Sequence, residues 1–275
     1  MINARLIIAA TTAEEASLGI AKALLSRGNF TEVHADVPYD CYRNGDCLLL
    51  IDSVPLADDT PLDWERHFTC DCIVIVYRHS GRGGKQRMTV HPVGNPTDKP
   101  LMGTPNALGA IHALYQRHML KTLKDIAQEQ KSDYLVNYEA THHGPTHLKT
   151  SVFFVEVGDS EAQWKDVNAH QLLAEAIERF IGTKPENLPS VLGLGGDHYA
   201  ERFERRTFSE GWAFGHMIAE RDFGALNDAF LQELVTKTIP KLDLVVIDKK
   251  KQGTPEQREL IQKFFKGQGI EVKKI

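Results

Sequence analysis

Short apolar segments alternate with amphipathic ones along the whole chain, and this alternation constrains the fold more than any other feature. Runs of aliphatic and β-branched residues predict buried strands at residues 5–10, 46–52, 72–77, 151–157, 191–194, 212–218 and 242–248. Apolar residues at helical spacing predict helices at residues 12–28, 107–130, 161–181 and 226–238 and a last helix from residue 254. Strands that alternate with helices are typical of an α/β fold, with helices on both faces of a mostly parallel mixed sheet.

Two of the predicted helices have recognisable start signals. Thr12 is followed three residues later by Glu15, which is the capping-box pattern. Thr254 is followed by Pro255 at the first helical position and by Gln257, which completes a second box. We therefore expect the first helix to begin after Thr12 and the last one after Thr254.

Length and composition describe an ordinary globular chain. Its 275 residues are 42% hydrophobic and 25% charged, and without repeats or an obvious linker they predict a single domain over residues 1–275. The spacing of the four cysteines matches neither a zinc knuckle nor a Cys-x-x-Cys pair, so we interpret them as reduced thiols. No apolar segment is long enough to cross a bilayer, so we expect a cytoplasmic protein without membrane contact.

The net charge of −5 gives no overall basic surface, so any contact with nucleic acid must come from a local patch. One candidate is the glycine-rich segment of residues 77–96, which overlaps the longest irregular stretch, residues 81–105. Its candidate phosphate-binding cations are Arg78, Arg82, Lys85 and Arg87. The segment is either a solvated basic loop or a set of phosphate contacts. It lacks the phosphate-loop pattern, which argues against hydrolysis of nucleoside triphosphates.

An acid and three histidines are crowded into nine residues shortly before the strand predicted at residues 151–157. They are Glu139, His142, His143 and His147, and Gly144 and Pro145 force a turn between the histidines. Side chains on such a turn project from a loop and cannot share one helix face. Converging imidazoles and carboxylates can bind zinc, and imidazole also carries protons near neutral pH. The alternative is that one or two of these histidines only hydrogen-bond the turn, but the crowding favours a functional role.

A glycine-rich turn follows the strand predicted at residues 191–194. Gly195 and Gly196 precede Asp197, His198 and Tyr199, an arrangement that suits close approach of the backbone to a ligand. The pattern is not a dinucleotide-binding fingerprint, because His198 stands where the third glycine should be. The alternative is a plain turn in which Asp197 caps the next helix. We interpret the charged residues that follow, within residues 201–206, as a solvated mixed-charge face.

Three motifs together resemble a known family. They are TVHPVGNP (residues 89–96), YEATHHGPTHLKTSVFFVEVGD (residues 138–159) and GLGGDHYAERF (residues 193–203). In this order and spacing they are similar to the archaeal and plant type of D-aminoacyl-tRNA deacylase, over nearly the whole chain. The resemblance implies a zinc enzyme, with one ion or a pair, that hydrolyses the ester between a D-amino acid and the 3′ end of tRNA. It also implies a three-layer α/β/α domain akin to the phosphorylase and peptidyl-tRNA hydrolase folds.

The residue chemistry is compatible with this activity. Hydrolysis of an aminoacyl ester needs a positioned water, a proton acceptor and a group that stabilises the oxyanion. Some of the histidines would hold zinc, while Glu139 or Asp197 would accept the proton or orient a ligand. We predict catalytic roles for Glu139, His142, His143 and Asp197, metal binding by His91, His147 and His198, and tRNA binding by the cationic segment. The expected substrate is D-aminoacyl-tRNA, and we expect a monomer without a protein partner.

Two other functions remain compatible with the sequence. A metallo-aminopeptidase or related amidohydrolase would use the same histidine and carboxylate cluster but would not need the basic segment. A tRNA-binding module without catalysis would keep the basic segment and tolerate loss of the histidines.

Overall fold

The larger of two main sheets has eight strands. The structure is a computed structural model that describes residues 1–58, 60–81, 83–100 and 102–275. The strands are β1 (Leu6–Thr11), β2 (Thr31–Glu32), β3 (Asp40–Asn44), β4 (Cys47–Asp52), β5 (Cys72–Arg78), β6 (Arg87–Pro92), β7 (Leu135–Tyr138) and β8 (Ser151–Val157). Their order across the sheet is β7-β6-β8-β5-β1-β4-β3-β2. Strands β8, β5, β1 and β4 are parallel to one another, whereas β6 and β7 run in the opposite direction.

The smaller main sheet is entirely parallel. Its strands are β9 (Ser190–Leu194), β10 (Ala213–Ile218), β11 (Leu244–Ile247) and β12 (Glu271–Lys274), in the order β10-β9-β11-β12. Three further ladders have two-residue strands: Ile2–Asn3 with Phe68–Thr69, Gly94–Asn95 with Ala107–Leu108, and Ile111–His112 with Thr238–Ile239. The predicted α/β class with a mostly parallel mixed sheet is confirmed, although the strands are divided between two sheets.

Helices connect the strands and cover the sheets. They are α1 (Glu15–Ser26), α2 (Ala113–Glu129), α3 (Glu161–Trp164), α4 (Val167–Gly182), α5 (Glu201–Ser209), α6 (Asp228–Thr236) and α7 (Pro255–Gly267). Helix α2 lies between the two sheets, because it contacts β6 on one side and β10 on the other. One continuous buried cluster runs from the larger sheet through α2 and α4 to the smaller sheet. This shared core supports the proposal that residues 1–275 form a single domain. Among the described residues, no helix combines the length and the apolar character that a membrane span requires.

Several predicted boundaries are wrong for identifiable reasons. The helix predicted at residues 107–130 begins only at Ala113, because Ala107–Leu108 and Ile111–His112 pair as short strands. The helix predicted at residues 161–181 is two helices, since the Asp166 side chain accepts a hydrogen bond from the Asn168 N–H and caps a new start. Helix α1 is capped by Glu14, whose carboxylate accepts two backbone N–H groups, and not by Thr12. The capping box at Thr254 is confirmed.

The most consequential difference is strand β6, which lies inside the stretch predicted to be irregular. Arg87, Thr89 and His91 of this strand are buried together with its apolar residues. Polar side chains at these positions hide the apolar pattern that identifies a strand in a sequence. The apolar pattern also does not predict strands β2, β3, β7 and β12.

Candidate metal centre and active site

A cluster of histidines and carboxylates lies where the strand direction in the larger sheet reverses, between β6 and β8. Its members come from β6, from β8 and from the segments that follow β5, β7 and β9. They are His79, His91, Glu139, His142, His143, Glu156 and His198. Because β6 is antiparallel to β8, Glu156 near the carboxyl end of β8 lies opposite Thr89, two residues before His91 in β6. Residues that are distant in sequence therefore meet at one place.

Three histidines form the centre of the cluster. The ring centroids of His91 and His142 are 4.0 Å apart, and those of His142 and His143 are 4.6 Å apart. Nδ1 of each ring lies next to a backbone carbonyl oxygen: that of Pro92 at 3.2 Å for His91, that of Ala140 at 2.8 Å for His142 and that of Gly144 at 2.8 Å for His143. A carbonyl can only accept, so each Nδ1 carries the proton and each Nε2 keeps its lone pair. The three rings thus have the tautomer that binds a metal through Nε2.

Glu156 faces two of these lone pairs. Its Oε1 lies 3.4 Å from Nε2 of His91 and 3.6 Å from Nε2 of His143. Nε2 of His91 is fully buried and makes no hydrogen bond within the described part of the chain. Two acceptors that face each other in a buried site are unfavourable unless a cation or a proton lies between them. The arrangement therefore fits a cation held by His91, His143 and Glu156.

A second carboxylate, Glu139, lies on the other side of His142. Both of its oxygens are buried, and neither has a hydrogen bond of good geometry with any described residue. Nε2 of His198 is 3.0 Å from its Oε1, and Nδ1 of His79 is 3.4 Å from its Oε2. Within each of three groups the possible ligand atoms lie within 4.8 Å of one another: His91 with His142 and His143, Glu139 with His142 and His198, and His79 with Glu139 and Glu156.

The protonation of the cluster follows from its burial and its close contacts. Burial disfavours the charged form of His79, but contacts with Glu139 and Glu156 outweigh it and raise the pKa of His79 to about 11. Burial would raise the pKa values of Glu139 and Glu156, but the neighbouring imidazoles hold both well below the usual range. Burial, together with the neighbouring rings of the cluster, lowers the pKa of His142 far below its usual value. Two carboxylates are thus ionised and His142 is neutral, which suits a metal site.

The turn that carries the histidines is strained. His143 has φ +39°, a backbone region that residues other than glycine rarely adopt. The Gly94 N–H donates a 2.7 Å hydrogen bond to the His143 carbonyl and so holds the turn against the segment after β6. Strain of this kind persists where the surrounding structure fixes it, and it is concentrated at functional sites.

His198 differs from the other histidines in its tautomer. The Arg221 guanidinium donates to Nδ1 of His198 at 3.2 Å, so Nδ1 is the acceptor and Nε2 carries the proton that faces Glu139. A cavity of about 330 Å³ opens beside this imidazole, and Tyr199 and Lys251 contribute to its lining. The arrangement places a proton donor, and not a free ligand atom, at the entrance of the cluster.

The structure brings together five of the seven residues predicted as catalytic or metal-binding: Glu139, His142, His143, His91 and His198. The other two lie apart from the cluster. His147 is exposed, and its Nε2 accepts a hydrogen bond of 3.1 Å from the Leu62 N–H. Asp197 is exposed and forms an ion pair with Lys251.

The predicted phosphate-binding cations have different environments. Arg78 is exposed and lies over the Trp164 ring at 4.8 Å, and Lys85 is exposed. Arg87 is buried in β6, stacked over the Tyr199 ring at 4.0 Å, and it donates a hydrogen bond of 2.6 Å to Asn137. Arg82 lies outside the described residues. Arg87 therefore has no exposed charge with which to meet a phosphate.

Sequence reasoning missed two members of the cluster, His79 and Glu156. Glu156 had a usable signal, because it is the one charged residue in the otherwise apolar strand predicted at residues 151–157, and a buried charge needs a partner. His79 stands out in the sequence only as part of the basic segment. Tyr199 was likewise missed as a neighbour, although its hydroxyl lies 3.1 Å from Nε2 of His79.

Comparisons with known proteins identify the family of this chain. The family model described as D-aminoacyl-tRNA deacylase matches residues 66–273. The D-aminoacyl-tRNA deacylase of Staphylothermus marinus is 30% identical, over 72% of this chain and 72% of its own length. The deacylase of Aeropyrum pernix is 28% identical, over 98% of this chain and 100% of its own length. The deacylase of Methanosarcina barkeri is 31% identical, over 74% of this chain and 64% of its own length. The crystal structure of a conserved protein of unknown function, AF0625, aligns with 100% of this chain and 96% of its own at a TM-score of 0.90 and 23% identity, which shows the same fold. The chain belongs to the D-aminoacyl-tRNA deacylase family.

Proposed function

We propose that the chain hydrolyses the ester bond of D-aminoacyl-tRNA to a free D-amino acid and tRNA, and that the histidine and carboxylate cluster is its catalytic centre. Family membership supports the substrate class. The observation that carries the choice of site is the buried Glu156 carboxylate facing the lone pairs of His91 and His143. The aminopeptidase and the non-catalytic binding module have no comparable support.

The metal of this proposal is zinc, held by His91, His142 and His143 with Glu156. Imidazole nitrogens together with a carboxylate are a common zinc donor set. A zinc ion bound there would act as a Lewis acid toward the ester carbonyl and would promote ionisation of a water. This set replaces the predicted one, because His147 lies elsewhere and His198 has its proton on the nitrogen that faces the cluster.

We assign proton transfer to Glu139, at the other end of the cluster. Glu139 is ionised and buried, so it can take the proton of the water that attacks the carbonyl carbon. The protonated Glu139 can then give this proton to the ribose oxygen as the ester C–O bond breaks. His198, which lines the cavity, directs its Nε2 proton at Glu139 and so orients this carboxyl group. His79 contacts both carboxylates and holds them in place.

Single-turnover deacylation tests this proposal. Metal-replete protein should release amino acid from D-tyrosyl-tRNA faster than from L-tyrosyl-tRNA, and chelation followed by dialysis should abolish the activity until zinc is restored. His142→Ala and His143→Ala should each reduce the rate by at least roughly a hundredfold, the scale of one lost catalytic group, while tRNA binding survives because phosphates dominate it.

The matched control is His147→Ala, which removes an imidazole from the same segment but outside the cluster. Its rate should stay close to that of the unchanged protein, with the folded fraction of each variant measured by circular dichroism. Full activity in metal-free protein, or normal rates in both cluster variants, would exclude this site as a zinc-dependent catalytic centre.

A further inference from the structure

One face of helix α5 is basic. Arg202, Arg205 and Arg206 are three and four residues apart and so lie on the same side of the helix. Together with Lys124 of α2 they line a cavity of about 780 Å³. The sequence predicts a mixed-charge face here, and in the structure several of its charges are paired. The Glu204 side chain, only 11% exposed, pairs with Lys124, and Arg206 pairs with Glu210, whereas the exposed Arg205 forms no ion pair among the described residues.

A second group of cations, Lys249, Lys250 and Lys251, follows strand β11. The Gly196 N–H donates to the Lys251 carbonyl at 3.1 Å, which fixes this segment against the glycine-rich turn. A Cβ atom at Gly195 would lie 2.0 Å from the same carbonyl oxygen, so the close approach requires glycine there. Lys251 lines the smaller cavity together with His198. The lysine segment thus ends beside the cavity that His198 lines.

The two groups of cations form one surface, because Asp248 joins them. Its Oδ1 accepts a 2.5 Å hydrogen bond from Arg202 of α5 and another from the Lys250 N–H. The Asp248 side chain is only 3% exposed, so its charge lies behind the surface and the cations lie in front. We call Arg202, Arg205, Arg206 and residues 249–251 the α5–lysine surface.

Part of this charge is not neutralised by the protein. Arg205, Lys249 and Lys250 are exposed and form no ion pair with any residue in the ranges that the structure describes. Exposed cations concentrated on one surface of a chain with net charge −5 produce a local positive field that attracts polyanions. The size also fits several phosphates, since the nine residues of α5 extend about 13 Å and each strand of a duplex has one phosphate about every 3.4 Å of helix axis.

We propose that the α5–lysine surface binds backbone phosphates of the tRNA acceptor arm and directs its 3′ end into the cavity beside His198. This inference rests on the proposed function. It moves the phosphate contacts away from the segment predicted by sequence, where Arg87 is buried beneath Tyr199 and Arg78 stacks on Trp164.

The test uses the triple variant Arg205→Ala, Lys249→Ala and Lys250→Ala in the full chain. None of these side chains is buried or ion-paired among the described residues, so the fold should be retained. Binding of uncharged tRNA over a salt series should be weaker, and the log–log slope should fall by about 0.7 to 0.9 for each phosphate that the variant no longer binds. The kcat/KM for D-tyrosyl-tRNA should fall as well, whereas hydrolysis of D-tyrosyl-adenosine, which has no phosphate, should be unchanged.

The matched control is a triple alanine variant at Lys22, Lys263 and Lys266, which are exposed lysines on α1 and α7. It removes the same charge and should keep the salt slope of the unchanged protein. Unchanged tRNA affinity and slope in the α5–lysine variant would overturn the inference. An equal loss of activity on D-tyrosyl-adenosine would also overturn it, because the effect would then lie in the reaction centre. If the unchanged protein hydrolyses neither ester, the proposed function fails, and the salt slope still decides whether the surface binds tRNA.

Discussion

Replacing Arg87 by methionine should destabilise the protein and leave tRNA binding unaffected. The guanidinium lies between the Tyr199 ring, 4.0 Å away, and Asn137, to which it donates a hydrogen bond of 2.6 Å. Tyr199 in turn contacts His79 of the cluster. Methionine retains much of the aliphatic volume, so the substitution removes mainly the charge and its directed contacts.

The expected loss of stability can be calculated from these two contacts. A desolvated cation–π contact contributes about 2 kcal/mol, and a hydrogen bond from a charged donor contributes about 1.5 kcal/mol at the lower end of its range. Asn137 keeps a second hydrogen bond from its amide to Glu204, so the free energy of unfolding should fall by about 3 kcal/mol. In a chain of this length that corresponds to a melting temperature lower by roughly 6 to 12 °C.

Thermal unfolding followed by circular dichroism measures this shift, and Arg78→Met is the matched control. Arg78 also lies over an aromatic ring, that of Trp164 at 4.8 Å, but it is exposed. An exposed cation–π contact contributes only about 0.5 to 1 kcal/mol, so the control should melt about 1 to 4 °C below the unchanged protein. If Arg87→Met melts like the unchanged protein and lowers the salt slope of tRNA binding by about 0.7 to 0.9, Arg87 meets a phosphate and our reasoning is wrong.

Three further substitutions test other parts of the structure. Glu156→Gln should lower zinc affinity at least about tenfold, measured by competition with a chelator, because it removes a charge at the metal site; unchanged affinity would contradict the ligand set. Gly195→Ala should lower the free energy of unfolding in urea by about 2 kcal/mol, because φ is +101° and the new Cβ would meet the Lys251 carbonyl. An unchanged free energy of unfolding would show that the loop moves aside. Glu14→Ala should lower the free energy of unfolding by about 1 kcal/mol because the α1 cap is lost, whereas Thr12→Ala should lower it less. The reverse order would show that Thr12 is the cap, as the sequence predicts.

The sequence predicts the buried apolar strands well because their pattern is local. Strand β8 has the predicted bounds, and β1, β5 and β9 differ from theirs by a residue at one or both ends. The capping box at Thr254 is equally local, since all its hydrogen bonds lie within one helical turn. Strand β6 was missed because Arg87 and His91 are partnered across the sheet, and a sequence does not show those partners.

The residues of the site are of two kinds: some are recognisable in the sequence, and others are brought to the site only by the fold. The crowding of His142 and His143 is visible in the sequence, and the structure places both in the cluster. Glu156 reaches them only through the antiparallel pairing of β6 with β8, and His79 only through the parallel pairing of β5 with β8. His147 shares the local crowding but points to Leu62, because the chain turns between it and its neighbours. Proximity in sequence therefore indicates which segment contributes to the cluster, whereas the pairing of the strands determines which side chains meet there.

The tautomers give the cluster two distinct ends. At one end, three backbone carbonyls fix the Nδ1 protons of His91, His142 and His143, and the Nε2 lone pairs of His91 and His143 face Glu156. At the other end, Arg221 fixes the opposite tautomer in His198, whose remaining proton faces Glu139. His79 contacts both carboxylates and offsets part of their buried charge. Because backbone carbonyls and one exposed arginine set these orientations, the imidazoles have, before any ligand arrives, the tautomers that our proposed metal site and proton acceptor require.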